Sequence, residues 1–426
     1  FSPVVSFASI RLLLTLAGVR KLKVHQVDIK TAFLNGDIDR DIYVTPPPGY
    51  VEPGKVWKLK KSLYGLKQAP KCWFNKMNEI FEQMGFFPTS SERCIYVRKD
   101  GDKVSYLLVY VDDILIFTED LETMEGIKEQ LGKLLEMRDL GPIGRFLGVD
   151  FTRSSDDHHF TLSQEMYIND LSEQFGISES KPVKSLPPLD TIDLSEESKD
   201  ESFPVRSLIG GMLYIANLTR PDISSAVSFL SRHLDNPSPR LFKYCKQILK
   251  YLRTTKDKKL HLGKLDDSNL LAYVDANFAP FGDRKSQSGA VFRLNGSSVH
   301  WFSKKQRTVS TSTTEAEYIA LAAATNEVLW FQNLMNELCV PANFPTVLYE
   351  DNQPTVQVAT NQKNNSMAKH VDTKLHALRD YALKGYIDIK WVETSKQLAD
   401  GLTKVKTSAR DADQLLGIPN QGVCCV

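Results

Sequence analysis

The run VSYLLVYVDDILIF, Val104 to Phe117, sets two adjacent aspartates, Asp112 and Asp113, inside an otherwise apolar stretch. An unpartnered carboxylate in such surroundings takes up a proton or finds a partner, because its desolvation is so unfavourable. Within one strand neighbouring side chains point to opposite faces, so the two aspartates cannot share a direction there. Both constraints ease if Asp112-Asp113 is the tip of a hairpin with arms 104–111 and 114–118. The tip is then either an acidic turn or a cation site, and the cation site needs a third carboxylate from elsewhere.

Around this hairpin the pattern alternates helix and strand. Helical spacing covers 6–19, and 24–33 (VHQVDIKTAF) reads as a strand carrying Asp28. Residues 71–84 read as a helix ending at Gly85, 121–136 as another, and FLGVDF as a strand. A helix from Ser163 presents Tyr167, Ile168, Leu171 and Phe175 on one face. The acidic, proline-marked stretch 186–202 reads as a linker, followed by helices at about 205–217, 221–234 and 239–254. From Asn269 the order becomes three strands, helix, strand, helix, strand, helix, an α/β layer on a mixed sheet. Asn295-Gly296 marks a hairpin in it, and Ser312 with Glu315 opens its long helix (about 314–338) in capping-box register.

Carboxylates fall into two sets on this outline. A strand carrying Asp28 beside the hairpin brings Asp28, Asp112 and Asp113 together, a minimum set for two magnesium ions about 4 Å apart. Asp275, Glu317, Asp351 and Asp400 occupy the ends of four elements near one sheet face, which again fits a two-metal site, here for phosphodiester hydrolysis. Taken singly, each of these acids is a solvated helix or strand end; taken together in this order, they form a site.

Composition excludes several classes. The 426 residues leave room for about two to four domains, and the net charge of +1 means that local patches must hold any polyanion. Six cysteines form no C-x-x-C pair or zinc spacing and suit a reducing compartment, and the terminal Cys424-Cys425-Val426 is no prenylation box. SFASIRLLLTLAGV is too short, and too interrupted by Arg11, for a membrane span or clean signal peptide. A start at Phe1 reads as part of something longer.

"VDIKTAFLNGD", "SLYGLKQAPKCWF", "YVDDILIF" and "FLGVDF" resemble the polymerase motifs of copia-type long-terminal-repeat retrotransposon Pol polyproteins. "YVDANFA…RKSQSGAVF", "STSTTEAEYIALA", "YEDNQ" and "KQLADGLTK" are similar to the ribonuclease H domain of the same polyproteins. The likeness runs over about residues 1 to 405. It implies an α+β multidomain chain: partial fingers and palm over 1–152, and thumb and acidic linker over 153–202. A connection-like helical region follows over 203–266, then an α/β ribonuclease H-like domain over 267–405 and a tail over 406–426. It also implies RNA-directed DNA polymerase with ribonuclease H activity, with metal ligands Asp28, Asp112 and Asp113 in one site and Asp275, Glu317, Asp351 and Asp400 in the other. Each site would take two Mg2+, with Mn2+ as a substitute. The implied partners are RNA template, DNA primer, RNA–DNA hybrid and deoxynucleoside triphosphates, with no membrane, a homo-oligomer as an option, and an intracellular location in a cytoplasmic particle or the nucleus.

The same resemblance places Phe33 under the incoming sugar, as a gate against a 2′-hydroxyl; the alternative is a core aromatic beside a turn. Tyr64-Gly65 and Lys67 match the nucleotide-pocket loop, and Leu147-Gly148 the turn that grips the primer end, where glycine permits close backbone approach. Lys243, Lys246, Lys250 and Arg253 make one basic stripe opposite Ile248, Leu249 and Leu252, either a duplex-phosphate surface or a solvated face. His158-His159 reads as a loop. His370 reads as structural or substrate-contacting, and the stretch ETSKQLA before Asp400 has no histidine. In the resembled family a fingers strand with triphosphate-binding cations lies upstream of FSPVV. Its absence here, with Arg11 a poor substitute, sets the expectation of weak polymerisation at high nucleotide KM beside a competent nuclease. The competing reading is a remnant that keeps only ribonuclease H, or only binds nucleic acid.

Overall fold

The computed structural model describes residues 2–187, 199–280, 282–340, 344–360, 369–404 and 409–418, with 369–375 described by their helix alone. They form two compact units. The first comprises Phe1–Ile10, Arg20–Ile143 and Asn333–Val340; the second comprises Arg11–Val19, Gly144–Gln332 and Pro341–Val426. The chain opens with helix α1 (Phe7–Arg20).

The first unit holds β1 (Lys23–Ile29), a short ribbon of β2 (Tyr43–Val44) and β3 (Trp57–Lys58), helix α2 (Ala69–Gln83), β4 (Phe87–Pro88), β5 (Ile95–Asp100), β6 (Lys103–Tyr110), β7 (Asp113–Thr118), helix α3 (Leu121–Leu134) and β8 (Met137–Pro142). Six of the strands form one antiparallel sheet in the order β4-β5-β6-β7-β1-β8. Pro70 in the first turn of α2 has no N–H to lose there, and Gly85 at φ 79° ends the helix. Asp120 caps α3 by accepting from the Thr123 N–H at 2.7 Å. Trp73, Met77, Ile80 and Phe81 of α2 and Met124, Ile127 and Leu131 of α3 share a core with Val27, Ile29, Ile114 and Ile116 of the sheet. Strand alternation then puts Gln26, Asp28 and Asp113 on the other face. The strand expected over 24–33 ends at Ile29, and Ala32–Asn35 is a 3-10 turn, so Phe33 leaves the sheet.

The second unit begins with a small sheet: β9 (Arg145–Phe146), β10 (Val149–Arg153), β11 (His159–Ser163) and, later in the chain, β12 (Leu260–Gly263). FLGVDF is thus two strands joined by a turn at Leu147-Gly148, and His159 starts β11 rather than lying in a loop. Helices α4 (Glu165–Gln174), α5 (Val205–Leu218), α6 (Ser224–Ser231) and α7 (Pro239–Thr254) bury Leu171, Ile209, Met212, Ile215, Ile248 and Leu252 together. Leu186, expected to open the acidic linker, is buried in that core, while 188–198 lie outside the described residues.

A five-stranded mixed sheet follows, in the order β15-β14-β13-β16-β17. Its strands are β13 (Leu271–Asn277), β14 (Gln287–Leu294), β15 (Ser297–Lys305), β16 (Thr346–Glu350) and β17 (Ile387–Trp391). β13 to β15 form an antiparallel meander, whereas β16 runs parallel to β13 and to β17. Asn295 and Gly296, at φ 48° and 78°, make the expected β14–β15 hairpin turn. The helices are α8 (Thr313–Glu337), α9 (Gln353–Thr360), α10 (Lys369–Leu383), α11 (Asp400–Thr403) and α12 (Ala409–Leu415). At the start of α8 the Glu315 N–H donates to Ser312 Oγ at 3.2 Å, but the Glu315 carboxylate reaches the Thr311 N–H at 2.7 Å, one residue beyond a capping box. Part of the expected tail is folded as α12, with Ala412 and Leu415 buried; Cys424 and Cys425 lie outside the described residues. No helix among the described residues is long and apolar enough to cross a membrane.

Candidate active sites

The β6–β7 hairpin turns on Val111-Asp112, with Tyr110 opposite Asp113. The tip is therefore one residue earlier than Asp112-Asp113, and Asp113 belongs to the strand. Val111 sits at φ 60°, a region that a β-branched side chain strongly disfavours. Two bonds hold it there: the Trp73 indole N–H donates to the Val111 carbonyl at 2.6 Å, and the Ile29 N–H donates to the Asp112 carbonyl at 2.8 Å. Asp28 lies directly across from Asp113 in the β1–β7 register. Buried Gln26 donates from Nε2 to Asp113 Oδ1 at 2.9 Å. Burial raises the Asp113 pKa against that bond, and the charges of Asp112 and Asp28 raise it further. Asp113 thus responds to both neighbouring carboxylates.

Their oxygens do not gather as tightly as those of the second set. Among the described residues, the acidic group whose ligand atoms all lie within 4.8 Å of one another is Asp275, Glu317 and Asp351.

Near the first set, Phe33 is half-buried and stacks at 4.8 Å, tilted by 52°, against the exposed ring of Tyr64. Ser62 Oγ donates to the Phe33 carbonyl at 2.7 Å, tying the two motif segments together. Gly65 takes φ 96° beside Tyr64, and Lys67 is exposed. In the second unit, Leu147 and Gly148 both have positive φ, 49° and 68°, and Tyr214 Oη donates to the Leu147 carbonyl. On α7, Lys243 is exposed, Lys250 is partly exposed, and Lys246 Nζ sits 5.3 Å from the Phe242 ring centre. Arg253 departs from the stripe: its Nη1 donates to the Ser180 carbonyl at 2.7 Å, which ties the end of α7 to the segment after α4.

The second set is assembled by the mixed sheet. Asp275 lies on β13, Asp351 directly follows β16 beside it, and Glu317 is near the start of α8. Asp400 begins α11, which packs closely on β14 because position 289 is glycine. A Cβ there would come within 2.7 Å of Thr403 and 2.9 Å of Leu402. Thr403 Oγ1 donates to Asp275 Oδ2, and Lys404 Nζ pairs with Asp400 Oδ2 at 2.6 Å. Asp400 therefore stands beside the converged trio rather than within it.

Burial pushes Asp275 up to about 7, and the charges of Asp400 and Asp351 add to the shift. Glu317 is pushed up to about 11, first by burial and then by Glu350, Asp275 and Asp351. Sequence reasoning missed Glu350, which is fully buried, accepts from the Asn352 N–H at 3.1 Å and is raised well above the usual carboxylate range by burial. Glu317 Oε2, Glu350 Oε2 and Asp400 Oδ1 are buried with no hydrogen-bond partner. Buried, crowded carboxylate oxygens left without donors fit divalent cations, whose hard oxygen-seeking charge would satisfy them.

The family whose model matches residues 1–189 is described as "Reverse transcriptase (RNA-dependent DNA polymerase)". The putative transposon Ty5-1 protein of Saccharomyces cerevisiae is 36% identical over 312 residues, 71% of this chain and 100% of that protein. The chain belongs to the copia-type retrotransposon Pol family. Within this family, the Pol polyprotein of transposon TNT 1-94 from Nicotiana tabacum is 37% identical over 95% of the chain, and that of transposon RE1 from Arabidopsis thaliana is 35% identical over 95%. This copia-type Pol region spans about a third of those polyproteins, 31% and 28% of their lengths. Among solved structures, prototype foamy virus protease–reverse transcriptase covers 92% of the chain (46% of its own) at 14% identity and TM-score 0.24. LC11-RNase H1 isolated from compost covers 32% (91% of its own) at 16% identity and TM-score 0.26. At such scores neither likeness bears on the reading of this Pol region.

Proposed function

We propose that the chain is an RNA-directed DNA polymerase with ribonuclease H activity: it copies RNA or DNA template into DNA and hydrolyses the RNA strand of the hybrid. The observation that carries this is the pair of separate carboxylate sets, one at a strained hairpin turn and one converging within 4.8 Å on a mixed sheet. Asp28, Asp112 and Asp113 would hold Mg2+ in the first site, and Asp275, Glu317, Asp351 and Asp400 in the second, two ions per site, with Mn2+ as a substitute. The ions would lower the pKa of the attacking hydroxyl or water and stabilise charge on the leaving oxygen.

The chain's own groups position the rest. The Trp73 and Ile29 bonds fix where Asp112 projects, and Gln26 orients Asp113. The Phe33 ring, braced by Tyr64, closes the space beside the turn against a 2′-hydroxyl. Lys67 meets triphosphate, the Leu147-Gly148 turn supports the primer end, and Lys243, Lys246 and Lys250 neutralise duplex phosphates without reading sequence. In the second site Thr403 fixes Asp275, and Lys404 pairs with Asp400 at its edge, opposing the rise that burial imposes on the Asp400 carboxyl. The substrates are template, primer, hybrid and deoxynucleoside triphosphates; the setting is an intracellular particle or the nucleus, with a homo-oligomer as an option.

A second reading, a remnant that keeps ribonuclease H alone, is favoured by one observation: the Asp28, Asp112 and Asp113 oxygens do not converge as the second set does. Primer extension beside hybrid cleavage on the purified chain separates the two. Both activities support the main reading; cleavage without extension supports the second.

A further inference from the structure

A cavity of about 940 Å³ in the second unit belongs to neither carboxylate set. Tyr273, which lines it, shares a sheet face with Asp275 two residues on, about 7 Å along β13. Arg293, opposite Leu271 in the β13–β14 register, lies on that same face. The walls carry four cations, Lys264, Arg293, Lys396 and Arg410, beside His159 and His261, and Asp266 is the acid among the described lining residues. Such an excess of cations around a concave space is the electrostatic signature of an anion site.

The cations are placed for use. Arg293 is half-buried and anchored by a 2.9 Å bond from Nε to the Gly296 carbonyl, which fixes the plane of its guanidinium. His159 has a buried Nδ1 with no partner. Lys264 and Lys396 are paired with Asp267 and Glu393, both at 3.1 Å, but these pairs are solvent-exposed and a doubly charged anion would displace them. Arg410 also lines the cavity and is exposed. The volume suits a ligand larger than a lone ion.

We propose that this cavity binds a phosphate-bearing ligand of nucleotide size, contributed either by a free nucleotide or by one residue of a nucleic-acid strand. The site does not depend on either carboxylate set being active. Calorimetry on the full chain in EDTA, where divalent-metal sites are silent, tests it with three probes: adenosine 5′-monophosphate, inorganic phosphate, and a short single-stranded oligonucleotide without terminal phosphates. The expected result is saturable binding of the monophosphate or the oligonucleotide, tighter than that of inorganic phosphate; binding of inorganic phosphate alone overturns the nucleotide-sized site. Lys264→Glu combined with Arg410→Glu weakens the expected binding ten-fold or more, and Asp351→Asn leaves it unchanged. Preference for the monophosphate assigns a free nucleotide, and preference for the oligonucleotide assigns a strand. No saturable binding of any probe, or equal affinity in the double variant, overturns the proposal.

Discussion

The Trp73 indole N–H lies 2.6 Å from the Val111 carbonyl, so a helix residue holds the backbone of the turn that carries Asp112. Removing the donor leaves a partly buried carbonyl unsatisfied and frees a strained turn to relax. Trp73→Phe is therefore expected to cost about 1–3 kcal/mol in denaturant unfolding and to lower primer extension more than hybrid cleavage. Val111→Gly keeps the bond and removes the penalty of φ 60°, so its stability should stay within about 1 kcal/mol of the parent. A Val111→Gly loss as large as that of Trp73→Phe would show that the turn is not strained.

Phe33 stacks on Tyr64, so the ring has a defined position rather than a free rotamer. Phe33→Val is expected to raise ribonucleotide incorporation with little loss of deoxynucleotide use, read in single-nucleotide extension. An unchanged preference between the sugars would make Phe33 a packing residue.

Arg220 and Asp222 form a fully buried ion pair at 2.8 Å, and Tyr251 donates to the same carboxylate at 2.8 Å. Burial by itself pushes the Asp222 carboxyl up; the Arg220 charge and the bonds from Arg220 and Tyr251 outweigh it and leave the pKa below the ordinary value. A depressed folded-state pKa contributes stability that is present above the unfolded value, about 4, and lost as pH falls through the folded one. Asp222→Asn strands the Arg220 charge and should destabilise by about 3–5 kcal/mol near neutral pH, with a shallower loss of stability on acidification. A melting temperature equal to the parent's at pH 7 would contradict this.

How much of this was legible in the sequence depended on whether local chemistry and tertiary structure agreed. Asn295-Gly296 announced its turn because both residues tolerate positive φ, and the turn is there. Val111 and Leu147 also have positive φ, but neither residue type signals it. The sequence pattern consequently puts the YVDD tip one residue late and makes FLGVDF a single strand. Asp275, Glu317 and Asp351 stood out as acids at element ends, where a charge interrupts an apolar pattern. Glu350 did not, because it directly precedes Asp351, and alternation sends it to the opposite, buried face. Gln26 and Trp73 gave no signal: their roles are single hydrogen bonds across 87 and 38 residues of chain.

On α7 Lys243 is exposed and Lys246 and Lys250 are partly so, while Arg253 is tied to Ser180. Lys246→Glu with Lys250→Glu should weaken duplex binding about equally for all sequences and reduce the slope of log affinity against log salt. Arg253→Glu should instead reduce stability. A salt slope identical to the parent's in the double variant would leave the stripe a solvated face.

The central claim is that two separate carboxylate sites carry two activities, and one paired measurement tests it most directly: primer extension and hybrid cleavage on Asp112→Asn and Asp351→Asn, with magnesium binding followed by calorimetry. The account predicts that Asp112→Asn abolishes extension and leaves cleavage nearly unchanged. Asp351→Asn should stop cleavage and weaken magnesium binding while extension persists, since an amide cannot supply the charge the converged trio needs. Loss of both activities in either variant with the fold intact, or undiminished cleavage by Asp351→Asn, would contradict it.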